Sequence, residues 1–260
     1  MFKDIKGDWL KQDRLVLCSC DEKYFNTYFD RFYNSFKDKW QLPIHIHIID
    51  PSQQSLKWLK DKEISHTWCN TDSYDWVTTI NKFKKEVPTQ NNVDNETVKQ
   101  WLYEGYTQCQ RFVVLGNNMT ASQSVIVSDV DAYAQHEPTK KDKEFLFSNT
   151  AFSYYKHRTM ATFCHFHPKD LKKVKEVAKR IVDTIDKNYF KLGLDQKILK
   201  EVYPMEREYQ TSTNNYFNKL DKGWIRHFDV KSDKDRLLHS KCLIYHRKGR
   251  RGKIGWTDTK

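Results

Sequence analysis

The sequence predicts an α/β domain built on a mostly parallel sheet that helices cover. Three short segments, residues 15–19, 44–49 and 124–128, combine Val, Ile and Leu with polar flanks, which is typical of buried strands. Between the first strands apolar residues recur at helical spacing, and strands that alternate with helices favour a parallel sheet. The 260 residues contain no internal repeat and no dividing linker, so we expect one domain.

The first half of the chain alternates helices with strands. Residues 21–40 are predicted to be helical because aromatic side chains recur at spacings of three and four, namely Tyr24, Phe25, Tyr28, Phe29, Phe32, Tyr33 and Phe36. The strand at 44–49 alternates Ile and His over most of its length, so one face should be more apolar than the other. A third strand is predicted near 64–69, and a helix at 101–115 should stop at Gly116.

The second half is less regular. After the strand at 124–128, two further strands are predicted at 145–155 and 159–166. An amphipathic helix at 169–189 follows, because apolar residues line one helical face of it. Gly193 should end that helix, a short helix at 194–202 should come next, and the last strand is predicted at 241–245.

Composition limits the classes of protein to consider. Hydrophobic residues make up 38% and aromatic residues 14% of the chain, enough for a substantial core. No run of about 18 apolar residues indicates a membrane span, and the charged N-terminus does not resemble a signal peptide. The 6 cysteines lack the spacing of a disulfide framework, so we expect reduced thiols and a cytoplasmic protein, for which a viral or bacterial intracellular setting is plausible.

The formal net charge of +11 is concentrated near the C-terminus. Residues 239–260 contain seven Lys and Arg but one acidic residue. A basic segment of this kind suits a polyanion, which could be a diphosphate, a nucleic acid or an anionic membrane surface. The scattered lysines elsewhere are equally compatible with an ordinary solvated surface.

Two acidic residues directly after a predicted strand form the sharpest motif. Asp129 and Asp131 follow the segment SVIVS, and alternate residues of an extended chain point to the same side. Two carboxylates can therefore face one Mg²⁺ or Mn²⁺, cations that often bind substrate phosphates as well. A second triplet, Asp233 to Asp235, lies in a polar stretch and is interpreted as surface.

Other candidates also follow predicted strands, where α/β sheets bind their ligands. Cys20, Asp21 and Asp50 end the first two strands, and His246 ends the last one as a possible metal ligand. Near the C-terminus, Gly249 would let the backbone come close to a diphosphate. Three basic residues beside it could neutralise the diphosphate, namely Lys248, Arg250 and Arg251. Asp195 and Gln196 open a short helix, where an acid could equally serve the helix dipole alone.

Several enzyme classes lose support. The sequence has no G-x-x-x-x-G-K-[ST] loop, no G-x-G-x-x-G and no G-x-S-x-G, which disfavours P-loop NTPases, dinucleotide dehydrogenases and α/β-hydrolases. Zinc is disfavoured because the spacing of the residues that could bind it fits none of the usual ligand pairs, namely His157, Cys164, His165 and His167.

Four segments in order resemble GT-A-type glycosyltransferases, especially those related to glycogenin and the bacterial lipopolysaccharide galactosyltransferases. These segments are RLVLCSCDEKYF (14–25), YTQCQRFVVLGNNMTASQSVIVSDVDA (106–132), LGLDQKIL (192–199) and LIYHRKGRRGK (243–253). They resemble the family's first strand and nucleotide-contacting loop, its arginine-bearing helix and D-x-D strand, its D-Q motif and its H-x-x-G segment. Residues 52–100 and 203–240 match no part of the family pattern.

The resemblance implies a role for each matching residue. Asp129, Asp131 and His246 would hold Mn²⁺ or Mg²⁺ against the diphosphate of a nucleotide-sugar, for which a UDP-sugar is the expected donor. Cys20, Asp21 and Arg111 would form the nucleotide site, beside which Asp50 is also placed. Lys248 and Arg250 would steady the leaving diphosphate. Asp195 and Gln196 would contact the sugar near its reacting carbon, and transfer would retain the anomeric configuration.

The acceptor and the general class of activity stay open at this point. Residues 1–132 are expected to form the donor-binding half and residues 133–260 the acceptor half. The excess positive charge is compatible with a glycan acceptor or with a modified base in DNA, flipped out if the DNA is duplex. A metal-dependent nuclease or nucleotidyltransferase and a non-catalytic nucleic-acid-binding protein are the alternatives.

Overall fold

A computed structural model describes residues 4–155, 158–187, 193–204, 225–226 and 244–246. The central sheet has seven strands in the order β1-β4-β3-β2-β5-β8-β7. Their bounds are Lys6–Gly7 (β1), Arg14–Asp21 (β2), Ile44–Ile49 (β3), Ser65–Cys69 (β4), Ser124–Ser128 (β5), Ala151–Tyr155 (β7) and Arg158–Phe166 (β8). A smaller sheet has the order β6-β10-β9, with bounds Ala132–Ala134 (β6), Ile225–Arg226 (β9) and Ile244–His246 (β10).

The centre of the large sheet is parallel. Strands β4, β3, β2 and β5 pair in parallel with one another, whereas β1, β8 and β7 add to the edges in antiparallel pairs. The predicted α/β fold with a mostly parallel central sheet is therefore confirmed. Strands β7 and β8 belong to the second half of the chain but complete the sheet that the first half begins.

Helices cover both faces of this sheet. Their bounds are Glu22–Tyr24 (α1), Asp30–Trp40 (α2), Gln53–Asp61 (α3), Trp76–Glu86 (α4), Asn95–Asn118 (α5), Lys140–Ser148 (α6), Leu171–Asp186 (α7) and Leu194–Val202 (α8), with a π-helical turn at Phe25–Phe29 and 3-10 turns at Pro88–Gln90 and Pro168–Asp170. One core contains apolar side chains of α4, α5, α7 and α8, and the other contains those of α2, α3 and α6. The two cores lie on opposite faces because neighbouring residues of β2 alternate between them.

Most predicted elements are confirmed, and several are confirmed to the residue. Strands β3 and β5 and helix α8 have the predicted bounds, and α5 contains the predicted helix. The predicted strand at 145–155 is wrong in its first half, because helix α6 runs through Ser148. Thr139 and Asp142 form a capping box that starts α6, with the Asp142 backbone N–H donating to Thr139 Oγ1 at 3.2 Å.

Gly116 lies inside α5 instead of ending it, because the helix continues to Asn118. A methyl group on Gly116 would collide with the methyl group of Ala178 in α7. The glycine therefore allows two helices to pack at close range, and helix termination is left to the residues after it.

The predicted difference between the two faces of β3 is confirmed, because Ile44, Ile46 and Ile48 pack into one core and the histidines lie on the other face, where they too are buried. His45 and His47 have no exposed surface. His45 Nε2 and His47 Nδ1 both lie 3.0 Å from the Thr67 hydroxyl, and His47 Nε2 lies 3.4 Å from Cys69 Sγ. Burial lowers the pKa of each imidazole to about 3, so both rings are neutral within the core.

Two expectations about the chain as a whole can be compared with the described residues. Five cysteines in these ranges are free and buried, in agreement with reduced thiols: Cys18, Cys20, Cys69, Cys109 and Cys164. None of the helices described here has both the length and the apolar character needed to cross a lipid bilayer.

Candidate active site

The predicted candidates collect at the carboxyl edge of the parallel strands. Asp21 is the last residue of β2 and pairs in register with Ile49, the residue before Asp50. On the other side of β2, Cys18 pairs with Ser128, the residue before Asp129. Residues that are far apart in sequence therefore meet along one edge, as the predicted strand ends required.

Arg111 joins two of the candidate acids. Its Nη1 atom contacts Asp129 Oδ1, and its Nη2 atom donates to Asp195 Oδ2 at 3.1 Å. The side chain of Arg111 is 5% exposed, that of Asp195 1% and that of Asp129 25%. A buried guanidinium that holds two carboxylates is an ion triad whose charges would be costly to bury separately. The sequence places Asp195 in a different segment from Arg111 and Asp129, and the structure brings the three residues together.

The D-x-D turn leaves strand β5 and enters β6. The Asp129 backbone N–H donates to the Thr162 carbonyl at 2.8 Å, and the Ala132 N–H closes the turn on the Asp129 carbonyl at 3.1 Å. Val130 is buried between the two acids. Asp129 continues the alternation of Val125 and Val127, which places it on the α5 side of the sheet, where it meets Arg111.

Asp131 lies near the end of β2. Burial raises the pKa of the Cys20 thiol well above its ordinary value, and the charges of Cys18, Asp21, Glu22 and Asp131 raise it further. The carboxylates of Asp21 and Asp131 therefore both act on this thiol near the carboxyl end of β2. Cys20 itself is buried and protonated, so it lines this edge as a small apolar group instead of acting as a nucleophile.

Asp21 has a local structural partner. Its Oδ1 atom accepts from the Tyr24 backbone N–H at 2.8 Å and caps helix α1. The neighbouring Glu22 accepts from the Ser52 and Ser55 hydroxyls at 2.8 and 2.7 Å, which ties the turn after β2 to the start of α3. The loop that resembles the family's nucleotide contact is therefore held by side chains at the start of α3.

Asp50 binds protein groups with both of its carboxylate oxygens. Oδ1 accepts from the Thr71 backbone N–H at 2.6 Å, and Oδ2 accepts from the hydroxyls of Thr71 at 2.8 Å and Tyr103 at 3.0 Å. The residue has a positive φ of 52°, which Asp tolerates better than most residues. Sequence reasoning identified Asp50 but missed Thr71 and Tyr103, because nothing local in the sequence connects them to a strand end.

Asp195 lies in the first turn of α8, two residues after Gly193, the helix N-cap, which has a φ of 82°. Its Oδ1 atom accepts from the Gln196 backbone N–H at 2.8 Å while Oδ2 faces Arg111. The acid thus satisfies a helix terminus and also pairs with a cation. The interpretation of Asp195 as a helix-starting acid is confirmed by its contact with the Gln196 N–H, whereas its role toward a sugar stays a prediction.

The backbone brings His246 to the D-x-D turn. Strand β10 pairs antiparallel with β6, and His246 is opposite Ala132, the residue after Asp131. The side chain of His246 lies outside the described residues, as do Lys248, Gly249 and Arg250. Among side chains that the structure describes, no three His, Cys, Asp or Glu residues form a metal-binding group. His165 is buried and its Nδ1 atom lies 2.7 Å from the Asn149 carbonyl.

Comparison with known proteins places the fold. No family model and no curated protein matches this chain. The apo form of the glycosyltransferase GlyE from Streptococcus pneumoniae TIGR4 aligns at 14% identity over 92% of this chain and 55% of its own length, with a TM-score of 0.50. Mouse xyloside xylosyltransferase 1 aligns at 13% identity over 93% and 99% of the two chains with a TM-score of 0.43. The bifunctional glycosyltransferase WbbM aligns at 12% identity over 94% and 47%, with a TM-score of 0.48.

The alignment with GlyE shows that this chain has a GT-A-like fold. The chain spans about half the length of GlyE and of WbbM. The predicted fold resemblance is thereby confirmed.

Proposed function

We propose that this chain is a metal-dependent glycosyltransferase that transfers a sugar from a nucleotide-sugar donor to an acceptor hydroxyl. The ion triad of Arg111 with Asp129 and Asp195 carries the proposal, because it joins the D-x-D turn to the D-Q helix at the carboxyl edge of the sheet. The GT-A-like fold shared with GlyE adds support, because open α/β sheets bind their ligands at the carboxyl ends of the strands, which is the edge where the triad lies.

The residues at the D-x-D turn fit a hard divalent cation. Asp129 and Asp131 offer carboxylate oxygens, which Mg²⁺ and Mn²⁺ prefer, and the backbone of His246 is paired next to them. A bound cation at this turn would supply Lewis-acid stabilisation of the diphosphate leaving group. The basic residues from Lys248 to Arg250, which follow His246 directly in the sequence, would add charge at the same place.

The protein groups have separable tasks. Arg111 neutralises and holds the carboxylates of Asp129 and Asp195, so that the D-x-D turn and the start of α8 keep fixed positions at the sheet edge. Gln196 follows Asp195 at the start of α8 and can reach the sugar side of the site. Asp21 and Cys20 line the part of the edge proposed for the nucleotide, for which a UDP-sugar is the proposed donor. We propose retention of anomeric configuration, which NMR of the product would test.

For the acceptor we keep two classes, a glycan and a modified base in DNA. The net charge of +11 exceeds what one nucleotide-sugar requires. Binding to DNA that weakens steeply with rising salt would support the second class, because phosphate contacts release counterions. If the protein does not bind DNA, or if its binding to DNA does not depend on salt, a glycan is the acceptor class that we retain.

A thermal-shift panel tests the donor and the metal together. UDP-glucose, UDP-galactose, UDP-N-acetylglucosamine and GDP-mannose are added with and without Mn²⁺. A donor that binds the folded state raises the melting temperature by mass action, and we expect this rise to require the metal. Asp131→Asn should abolish the metal-dependent part of the rise.

The chain provides a matched control for that variant. Asp233→Asn with Asp235→Asn removes the same type of side chain from the second triplet and should leave the response unchanged. No response of the wild-type protein to any nucleotide-sugar would contradict the proposal. Consumption of nucleic acid or of a nucleoside triphosphate without a sugar donor would instead identify a nuclease or nucleotidyltransferase.

A further inference from the structure

Helix α5 lies across the carboxyl ends of the parallel strands and makes a polar contact with most of them. The Tyr103 hydroxyl donates to Asp50 after β3, and Tyr106 hydrogen-bonds to Cys69 at the end of β4. Arg111 contacts Asp129 after β5. Strand β2 lies between β3 and β5, and among the described residues no side-chain hydrogen bond joins α5 to a side chain of β2.

One polar side chain of α5, that of Gln110, and one of β2, that of Ser19, lie on the faces by which these two elements meet. Gln110 shares a helical stripe with Tyr103 and Tyr106, because the spacings are seven and four residues. Ser19 lies on the face of β2 that meets α5, since it continues the alternation of Leu15 and Leu17. Helix α5 packs directly on β2.

Both groups are buried and lack hydrogen-bond partners among the described residues. Gln110 is 1% exposed, and neither its amide nitrogen nor its amide oxygen has a partner. The Ser19 hydroxyl and the neighbouring Nε–H of Arg111 are in the same condition. Buried amides are normally hydrogen-bonded, and an unsatisfied one destabilises the folded protein. Destabilising features such as unsatisfied polar groups concentrate at functional sites, where a bound ligand can provide the missing hydrogen-bond partner.

We infer that Gln110 is a specificity-determining residue of the donor site and that, with Ser19, it hydrogen-bonds hydroxyl groups of the bound nucleotide-sugar. This inference rests on the proposed function. An amide both donates and accepts, as does a serine hydroxyl, so the pair matches sugar hydroxyls better than phosphate oxygens, which only accept. The side chain of Gln110 must turn toward the sheet edge to reach a ligand, and it gives up no hydrogen bond to a described residue when it does so.

The substitution Gln110→Met separates this role from a structural one. Methionine is unbranched and similar in length, forms helices well and has no amide to satisfy. We expect the ligand-free variant to melt a few degrees higher than wild type, because an unsatisfied buried group is removed. We expect its affinity for the donor to fall about tenfold or more, since the hydroxyls lose their partner. Ser19→Ala should lower affinity in the same direction.

Gln100→Met is the matched control, because Gln100 is exposed on the same helix and bonds Glu104 at 3.1 Å. It should change neither the melting temperature nor the affinity noticeably. The titrations use UDP and UDP-glucose with Mn²⁺. Weakening of both ligands would assign the contact to the UDP part of the donor, and weakening of UDP-glucose alone would assign it to the hexose.

Two results would overturn the inference while leaving the proposed function intact. A lower melting temperature of ligand-free Gln110→Met would mean that the amide is satisfied inside the protein. A higher melting temperature with unchanged affinity for both ligands would mean that the amide serves no ligand. A wild-type protein that binds neither UDP nor UDP-glucose, nor any donor of the wider panel, would instead remove the proposed function, and the inference with it.

Discussion

The guanidinium of Arg111 donates to the carboxylate of Asp195, a residue 84 positions further along the chain, at a distance of 3.1 Å. The contact joins the middle of α5 to the first turn of α8, and both side chains are almost completely buried. The contact thus joins the helix that carries Arg111 to the D-Q motif. Its contribution to the free energy of unfolding can be measured, as can the contributions of three other features.

Arg111→Met should destabilise the protein by about 3 kcal/mol, because it leaves Asp195 buried without its cation. Urea unfolding of the ligand-free protein measures this change. Arg180→Met is the matched control, since Arg180 also holds two carboxylates, of Glu176 and Glu201, but does so on the surface. We expect the control to cost less than about 1 kcal/mol. If both variants lose the same free energy of unfolding, the buried Arg111 triad contributes no more to stability than the exposed ion pairs of Arg180.

Gly116→Ala should destabilise the protein by about 1–3 kcal/mol, although alanine is intrinsically the better helix former. The added methyl group would collide with that of Ala178 across the contact between α5 and α7. Ala178→Gly in the same chain should restore much of the loss, which a double-mutant cycle by urea unfolding would quantify. Gly116→Ala more stable than wild type would refute the close contact.

Tyr103→Phe should lower stability by about 1 kcal/mol in the absence of any ligand, because Asp50 then loses one of three hydrogen bonds. Tyr33→Phe is a control at a half-buried tyrosine of α2 whose hydroxyl has no partner among the described residues. Chemical denaturation of both variants gives the comparison. If Tyr103→Phe alters only ligand affinity and leaves stability unchanged, Asp50 acts on the ligand and not on the fold.

Stability should fall as the pH decreases from 7 to 5. Burial holds the pKa of His45 and His47 at about 3 and that of His165 at about 4, below the unfolded value near 6.5. Between these values the unfolded chain binds protons that the folded chain excludes. Stability is therefore complete above pH 6.5 and is lost as the pH falls toward the folded values, by about 1.4 kcal/mol per histidine and pH unit.

Urea titrations at several pH values between 7 and 5 would measure this slope, in a range where most carboxylates remain ionised. His47→Gln keeps a side chain that can bond Thr67 and removes one titrating group, so the slope should become shallower. An unchanged slope in that variant would assign the acid sensitivity to other groups.

Local patterns are sufficient to predict elements that have a clear apolar pattern and a clear start. Strand β5 is apolar and β-branched, and Gly193 precedes the amphipathic helix α8, so the sequence predicts both to the residue. The last turn of α6 is wrongly predicted as the start of a strand, because the aromatic residues Phe145 and Phe147 imitate the alternation of a strand. The capping box at Thr139 and Asp142 was the available signal for the helix.

The site was predictable only in part, because its defining contacts join distant segments. The D-x-D acids and Asp21 could be placed at strand ends from their sequence neighbours. The meeting of Arg111 with Asp195 depends on how α5 and α8 pack, which no local pattern records. The unsatisfied amide of Gln110 is likewise a property of the packed core, since a glutamine in a helix is ordinarily expected to be exposed.

The pairing of β10 with β6 has a consequence for the order of events during synthesis. The turn that bears Asp129 and Asp131 acquires its neighbouring strand only when Ile244–His246 has been made and has returned to it. A nascent chain on the ribosome can form the parallel strands earlier, but β6, which follows that turn, then has no β10 to pair with. We therefore expect UDP-glucose with Mn²⁺, the proposed ligands, to protect stalled ribosome-bound chains from proteolysis only when the chains are long enough to include Ile244–His246.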